Sequence, residues 1–318
     1  MLRVIRVRRI PVIAAALLLL VAAFLVPATR PATGATSTAH YIANLDGSTA
    51  PAALGYDVFD TGPSGVNSLP AGVRALVWLG QKCPTAADAS FRATIDALAT
   101  NPRVFGYYLS DEPHIADCPG GPAALKSRTD YVRSKTSTQY TFVVLDDEVE
   151  MSPFRPAVTG VHLIGLDPYP CSTANPTCDL SKIGQRVGWA DAAGIPRSAI
   201  VPTFQCFGQE NFGGYYRLPT ADQLRAMLAE WSKFVPTPVM DYTYSWGNQP
   251  DSSDPTLVDS PALQAVMAEH NAVVTPPPTT TTTTTLPTTT TTTLPTTTST
   301  TTSTPTRTKK PHPTHPRH

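Results

Sequence analysis

The sequence predicts an α/β protein built as a (β/α)8 (TIM) barrel. About 230 residues, from 40 to 273, suit one such domain. Helical patterns lie between several short apolar runs, and these runs are typical of strands buried on both faces of a parallel sheet. The eight runs are residues 41–45, 56–59, 75–79, 104–109, 140–145, 161–166, 199–204 and 238–244.

Two features of these runs fit the barrel poorly. Pro202 lies within the seventh run, although proline rarely occupies a central strand. The first two connections look too short for full helices. A doubly wound open sheet is therefore the alternative fold, but its usual Gly-rich phosphate loop is missing.

Four helices are predicted from the spacing of apolar residues. The third carries the strongest stripe and begins with a capping-box pair, Thr220 and Gln223. The fourth begins at Ser260 with Pro261 in its first turn, and Gly194 ends the second. The four stripes are Phe91, Ile95 and Leu98; Ile183, Val187 and Ala190; Leu224, Met227, Leu228, Trp231 and Phe234; and Leu263, Val266 and Met267.

The N-terminal segment, residues 1–39, predicts export from the cytoplasm. Arg3, Arg6, Arg8 and Arg9 precede an uncharged apolar run of 17 residues, 10–26, and small residues follow it. A basic region before an apolar one is typical of a signal peptide. An uncleaved anchor is the alternative. Either interpretation places the rest of the chain outside the cytoplasm, secreted or at the cell surface.

The C-terminal segment, residues 274–318, predicts a disordered tail. Between residues 275 and 306 it contains only Thr, Pro, Ser and two Leu, so it has no apolar surface to bury. We expect an extended and O-glycosylated stalk. Its basic end, with Arg307, Lys309, Lys310 and Arg317, suggests contact with an anionic cell-wall polymer.

The charge balance restricts the class of ligand. The globular domain carries 15 basic and 24 acidic residues, a formal charge of −9. This balance argues against nucleic-acid binding, which needs a basic surface. Neutral or cationic ligands suit this negatively charged domain better. Separately, we expect the protein to act as a monomer.

The five cysteines lie in this domain, and pairing is expected outside the cytoplasm. Cys171 and Cys178 flank a short loop that a disulfide would close. Cys83 and Cys118 each follow an apolar run and are expected to tie neighbouring loops. Cys206 lies within an apolar run and is expected to be a buried free thiol.

Acidic and aromatic residues recur where the predicted strands end, which is the end of a barrel where active sites lie. Carboxylates among aromatic rings are typical of sugar sites, since rings stack on pyranose C–H surfaces and a carboxyl pair supplies acid and nucleophile or base. Helix capping is the alternative role for each aspartate. The acidic residues are Asp46, Asp60, Asp111, Glu112, Asp146, Asp147, Asp167 and Glu210, and the aromatic ones are Trp78, Tyr108, Tyr169, Tyr244 and Trp246.

The most informative segment is GYYLSDEP at residues 106–113. It resembles the (β/α)8 glycoside hydrolases with catalytic glutamates after strands 4 and 7, in which strand 4 typically ends Asn-Glu-Pro and its Glu is the acid/base. The resemblance implies that role for Glu112. Trp246, in YSWG at 244–247, matches the floor of a sugar subsite in that group, and Asp167, in DPYP at 167–170, matches a polar partner position.

The sequence departs from that group at strand 7, where Gln205 occupies the place of the nucleophilic Glu. Gln cannot attack an anomeric carbon as a carboxylate does. Three alternatives remain open. Glu210 could be the nucleophile; Asp147, Asp167 or Asp241 could be the base of an inverting reaction; or the barrel has lost hydrolysis and kept glycan binding.

No cofactor is predicted. The domain's four histidines, His40, His114, His162 and His270, show no ligand spacing, so no zinc site is expected. Clustered aspartates could hold Ca²⁺, which is the alternative. The predicted catalytic residues are Glu112, Asp167 and Glu210. The predicted carbohydrate-binding residues are Asp60, Trp78, Tyr108, Asp111, Asp147, Tyr169, Gln205, Tyr244 and Trp246.

Overall fold

A computed structural model describes residues 37–248 and 254–272, and within them eight parallel strands close into a barrel in chain order. β1 pairs with β2 and with β8, which confirms the predicted (β/α)8 fold. The predicted export segment and tail lie outside the described residues, apart from the last few residues before the barrel. The strands are β1 Ala39–Ile42, β2 Val58–Thr61, β3 Arg74–Trp78, β4 Val104–Asp111, β5 Tyr140–Leu145, β6 Leu163–Leu166, β7 Ile200–Gln205 and β8 Met240–Tyr244.

Seven α-helices surround the barrel in the described part of the chain, and the four predicted helices are among them. The two short connections hold 3-10 helices, Ala50–Leu54 and Pro63–Ser68, instead of α-helices, as their lengths predicted. None of the described helices is long and apolar enough to span a membrane. The helices are α1 Ala89–Leu98, α2 Gly121–Lys135, α3 Glu148–Phe154, α4 Pro156–Thr159, α5 Ser181–Ala192, α6 Ala221–Phe234 and α7 Pro261–Ala272.

α2 was not predicted because part of its buried face is polar. Arg128 is buried there, and its guanidinium donates to the carbonyl oxygens of Leu79 and Thr85 while lying over the Phe91 ring. These bonds satisfy the charged group away from water. α6 follows the expected pattern, since the Thr220 hydroxyl accepts from the Gln223 N–H and the Gln223 side chain accepts from the Thr220 N–H.

Two apolar cores follow from the alternation of side chains along each strand. On β4, Tyr108 points into the barrel, whereas Tyr107 and Leu109 point outward to the helices. The inner core also contains Tyr41, Phe142 and Tyr242. Glu112 directly follows the last residue of β4, at the C-terminal ends of the strands. We call this end of the barrel the mouth.

Pro202 lies inside β7 without breaking the barrel. The pairing of β7 with β6 extends from Ile200 to Pro202, and its pairing with β8 begins at Thr203. Proline therefore occupies the point where the pairing passes from one neighbour to the other, which is a position where a missing N–H is tolerated.

The two predicted disulfides are confirmed. Cys83–Cys118 joins the segments after β3 and β4, with Cα atoms 5.4 Å apart, and Cys171–Cys178 closes the loop after β6, with Cα atoms 4.2 Å apart. Cys206 is a buried free thiol, as predicted. Two disulfides are typical of proteins that fold outside the cytoplasm.

Candidate functional site

A cavity of about 520 Å³ opens at the mouth of the barrel. Carboxylates and aromatic rings dominate its wall, and the described residues that line it include no lysine, arginine or histidine. This composition fits a sugar pocket, which needs both apolar surface and polar groups. The lining residues are Asn44, Asp111, Glu112, Val144, Tyr169, Phe207, Gly208, Gln209, Tyr216, Tyr242, Tyr244, Ser245, Asn248, Asp254 and Thr256.

Glu112 and Asp167 form a carboxyl pair at the base of this cavity. Glu112 follows β4 with a left-handed φ of 45°, and its N–H donates to the carbonyl oxygen of Val144 at 3.1 Å. The two carboxyl groups are close enough that the negative charge of Glu112 raises the pKa of Asp167. Asp167 is only 4% exposed, and its Oδ1 has no hydrogen-bond partner among the described residues.

The surroundings of the pair favour the protonated form. Burial raises the pKa of Glu112, the neighbouring Asp167 carboxyl group opposes part of this increase, and the negative charges of Asp146 and Asp111 add to it. Burial raises the pKa of Asp167 well above its usual value, and the charge of Glu112 adds to this. A carboxyl group that keeps its proton near neutral pH can act as a general acid.

Two neighbouring aspartates extend the acidic cluster. The Tyr108 hydroxyl donates to Asp111 Oδ1 at 2.6 Å, and burial raises the pKa of Asp111. Asp60 follows Phe59 on β2, and burial raises its pKa to about 6. The Asp60 Oδ1 has no hydrogen-bond partner within the described residues. The predicted residues Asp60, Tyr108 and Asp111 are thus brought together with Glu112.

Aromatic side chains form the opposite part of the lining. Tyr169, with φ 35°, lies 4.9 Å from Phe207 and 5.5 Å from Tyr216, measured between ring centroids. Tyr244 lies 5.2 Å from Phe207. Rings in this arrangement offer apolar surface to a sugar, and they restrict water around the carboxyl groups.

Six of the nine predicted binding residues do not line the cavity: Asp60 and Tyr108 of the acidic cluster, Gln205, and the three described next. Trp246 is 5% exposed and packs in the outer core, so it is not the floor of the cavity. Trp78 is 41% exposed at the end of β3, against the Tyr108 ring, and does not line the cavity. Asp147 is exposed at the start of α3, whereas Asp146 is the residue that faces the carboxyl pair. Successive residues of an extended chain point to opposite sides, which explains why Asp146, and not Asp147, lies near the carboxyl pair.

Gln205 is at the end of β7, but its side chain does not line the cavity. It is fully buried, and its amide group bonds only to backbone. Oε1 accepts from the Cys171 N–H at 2.9 Å, and Nε2 donates to the carbonyl oxygens of Cys171 and Arg217 at 2.9 and 3.1 Å. Gln205 thus joins the loops after β6 and β7 and does not line the cavity.

Glu210 and Asp241, which were considered as nucleophile and base, also lie outside the cavity. Glu210 is exposed, and its Oε1 accepts from the Leu218 N–H at 2.7 Å, which stabilises the β7–α6 loop. Asp241 lies near the start of β8, on the outward side of the barrel, and is bonded to His40 and His270. Neither residue is part of the cavity lining.

Several lining residues were not predicted from the sequence, among them Asp254, Phe207, Tyr216 and Asn44. Asp254 lies between β8 and α7, is buried, and accepts from the Asn211 N–H at 3.0 Å. An acidic segment after the last strand was visible at residues 251–254. Phe207 and Tyr216 come from the long β7–α6 connection, and Asn44 follows β1 with a left-handed φ of 60°. Loop residues follow no periodic pattern of apolar and polar side chains, so the sequence did not single them out.

No protein-family model and no curated protein matches the chain. Its structure is similar to a chitinase from Bacteroides thetaiotaomicron, with TM-score 0.50 and 9% identity over 74% of this chain and 97% of that one. An endo-β-1,3-glucanase of family GH128 from Amycolatopsis mediterranei gives TM-score 0.47 and 13% identity over 74% and 99%. A family 18 N-acetylglucosaminidase from Paenibacillus barengoltzii gives 0.45 and 10% over 74% and 99%. At 9% identity the likeness to the chitinase shows the fold alone, a (β/α)8 barrel.

Proposed function

We propose that the protein is a glycoside hydrolase that acts on an extracellular or cell-wall glycan, with Glu112 as the general acid. The observation that carries this proposal is the Glu112–Asp167 pair in a cavity lined by carboxylates and aromatic rings. Glu112 lines the cavity, whereas Asp167 lies behind it. Glu112 is therefore the member of the pair that can donate a proton to a glycosidic oxygen.

Asp167 acts on Glu112 rather than on the sugar. The two catalytic carboxyl groups of a glycoside hydrolase are separated by ~5–5.5 Å in retaining enzymes and ~6.5–9.5 Å in inverting ones. Asp167 is buried and does not line the cavity, so it does not flank a sugar bound there. We propose that Asp167, which burial and the charge of Glu112 hold in its protonated form, influences the proton affinity of Glu112 from behind the cavity wall.

Asp254 is our candidate for the second catalytic carboxylate. Among the described lining residues, Asp111 and Glu112 leave the same strand, whereas Asp254 enters from the segment after β8. A carboxylate on another wall can activate a water on the far face of a sugar bound between them. Asp254→Asn should then abolish turnover but retain binding, with the fold checked by circular dichroism.

A glycan-binding barrel without hydrolysis is the second candidate function. One observation favours it: Gln205 occupies the position of the resembled group's nucleophile and is fully engaged by backbone groups. A carboxylate at position 205 could not donate the hydrogen bonds that the Gln205 amide donates to backbone carbonyl oxygens. The cavity and its aromatic rings would serve binding equally well.

One experiment separates the two functions. The protein is incubated with a panel of soluble and cell-wall polysaccharides, and new reducing ends and bound protein are measured in parallel. New reducing ends that disappear in Glu112→Gln support hydrolysis. Binding without new reducing ends supports the second function, and neither binding nor cleavage would contradict both.

We also infer that the protein works outside the cytoplasm, as a monomer. The two disulfides support this location, together with the basic and apolar segment at residues 1–26. The basic end of the Thr/Pro-rich tail would hold the domain near anionic cell-wall polymer. Fractionation of the culture, with and without residues 274–318, tests the role of the tail.

A further inference from the structure

Three side chains converge on the outside of the barrel, far from the mouth. His40 lies on β1, Asp241 lies beside it on β8, and His270 comes from α7. His40 Nδ1 is 3.0 Å from both carboxylate oxygens of Asp241, and His270 Nε2 is 2.9 Å from Asp241 Oδ2. One ligand atom from each residue lies within 4.8 Å of the others.

We propose that His40, Asp241 and His270 bind a divalent transition-metal ion of the zinc type. Two imidazole nitrogens with one carboxylate oxygen are ligands that zinc prefers, whereas calcium and magnesium prefer oxygen ligands alone. Within the described residues, this is the only group of three or more His, Cys, Asp or Glu side chains whose ligand atoms lie this close to one another.

The distances leave room for the ion after a small movement. Bonds of ~2.0–2.2 Å to zinc place tetrahedral ligand atoms roughly 3.3 Å apart. The observed separations of 2.9 and 3.0 Å would widen by a few tenths of an ångström. His40 Nε2 has no hydrogen-bond partner among the described residues, so no bond at that nitrogen fixes the tautomer of the ring. Nδ1 can therefore present its lone pair to a metal.

The site has both a buried and an accessible side. Asp241 is 1% exposed, and a carboxylate that is this buried needs a positive partner. The His270 side chain is 29% exposed, which provides a route for the ion and for a water as a fourth ligand. The opening is at the surface between the barrel and α7, so this site does not depend on the proposed hydrolysis at the mouth.

The metal would have a structural effect. It would join the first strand, the last strand and the last described helix, and these elements are brought together only in the folded chain. An ion that binds the folded state alone stabilises it by RT ln(1 + [L]/Kd), so saturating zinc should raise the melting temperature.

The test uses the full chain, in which His312, His315 and His318 of the tail are replaced by Ala, because tail histidines could bind zinc by themselves. The protein is stripped with a chelator, dialysed against Zn²⁺, and analysed by elemental mass spectrometry. We expect one zinc per chain and a higher melting temperature than that of the stripped protein.

Two variants and one control complete the test. His270→Ala and Asp241→Asn should each lose the bound zinc and the thermal shift, whereas His114→Ala, a partly buried histidine beside Asp146, should keep both. Circular dichroism checks the fold of each variant. Less than a stoichiometric amount of zinc in the parent protein overturns the proposal whatever the variants do, as does retention of zinc by a folded His270→Ala.

Discussion

Gln205 and Cys171 are joined by two hydrogen bonds of 2.9 Å, one in each direction between the side-chain amide and the peptide group. This pairing fixes the loop that carries the Cys171–Cys178 disulfide against the end of β7. A carboxylate at this position could accept from the Cys171 N–H, but it could not donate to the Cys171 and Arg217 carbonyl oxygens. The amide at position 205 is therefore a structural requirement of this barrel.

Gln205→Glu should destabilise the protein and should not create a nucleophile. The change leaves buried carbonyl oxygens without donors, which costs about 1–3 kcal/mol each, and it adds a charge in a fully buried place. We expect a clear fall in the free energy of unfolding measured in urea. The control is Gln185→Glu, because Gln185 is exposed on α5. Equal stability of the two variants would contradict the structural role of Gln205.

Glu112→Gln should fold normally and lose turnover. The substitution keeps the shape of the side chain but removes the ionisable proton, and positioned acid catalysis is worth about 10²–10⁴-fold in rate. In a binding protein, the same change should weaken glycan affinity by about 1–3 kcal/mol through a mispaired hydrogen bond.

The matched control for Glu112→Gln is Glu210→Gln. The Glu210 carboxylate accepts from the Leu218 N–H, and a Gln oxygen can do the same. Activity and glycan affinity should therefore stay near those of the wild type. A large loss of activity in Glu210→Gln alone would restore Glu210 as the nucleophile and refute our placement of it outside the site.

Asp60→Asn should stabilise the protein at neutral pH. Burial raises the pKa of Asp60 from 3.8 to about 6, so the folded state holds its proton more tightly than the unfolded state does. Protonation of Asp60 therefore favours the folded state. This stabilisation is fully present below about pH 4 and is lost as the pH rises through about 6. The ionised group then costs at most about 3 kcal/mol at neutral pH, by the usual conversion of pKa shifts.

The measurement is the melting temperature from pH 4 to 8. The variant's advantage over the wild type should grow through this range and level off above about pH 7, since Asn does not titrate. Asp147→Asn is the control, because Asp147 is exposed and outside the cavity. A constant difference between Asp60→Asn and the wild type would show that Asp60 does not titrate in this range.

Cys206 should react with iodoacetamide only after unfolding. It is fully buried, and burial raises the pKa of its thiol, so little thiolate forms and reagent cannot reach it. Peptide mapping without reduction should find Cys83 with Cys118 and Cys171 with Cys178, and one labelled cysteine in the denatured chain. A disulfide to Cys206, or rapid labelling of the native protein, would contradict the assignment.

Removal of the local disulfide by Cys171→Ser with Cys178→Ser should cost roughly 2 kcal/mol. The closed loop is short, with a sequence separation of 7, and short loops lie at the low end of disulfide stabilisation. The loop also keeps its backbone bonds to Gln205. Unfolding in urea measures the difference, and a loss well above 4 kcal/mol would show that the loop depends on the disulfide rather than on those bonds.

Local patterns in the sequence were sufficient to predict the barrel. The spacing of apolar residues in a strand or helix reflects which face of that short segment is buried. The eight apolar runs, the capping pair at Thr220 and Gln223, and the position of Glu112 at the end of the fourth strand all depend on short segments. The disulfides were predictable from short segments too, since Cys83 and Cys118 each follow an apolar run and Cys171 and Cys178 flank a short loop.

Only the tertiary structure decided which side chains meet. Trp246 was expected at the cavity and packs in the outer core, while Asp254 enters the cavity from a loop without periodicity. His40 and Asp241 are separated by 201 residues, and barrel closure between the first and last strands brings them within 3.0 Å. Contacts of this kind depend on how distant segments are oriented in space, and a single sequence does not record that orientation.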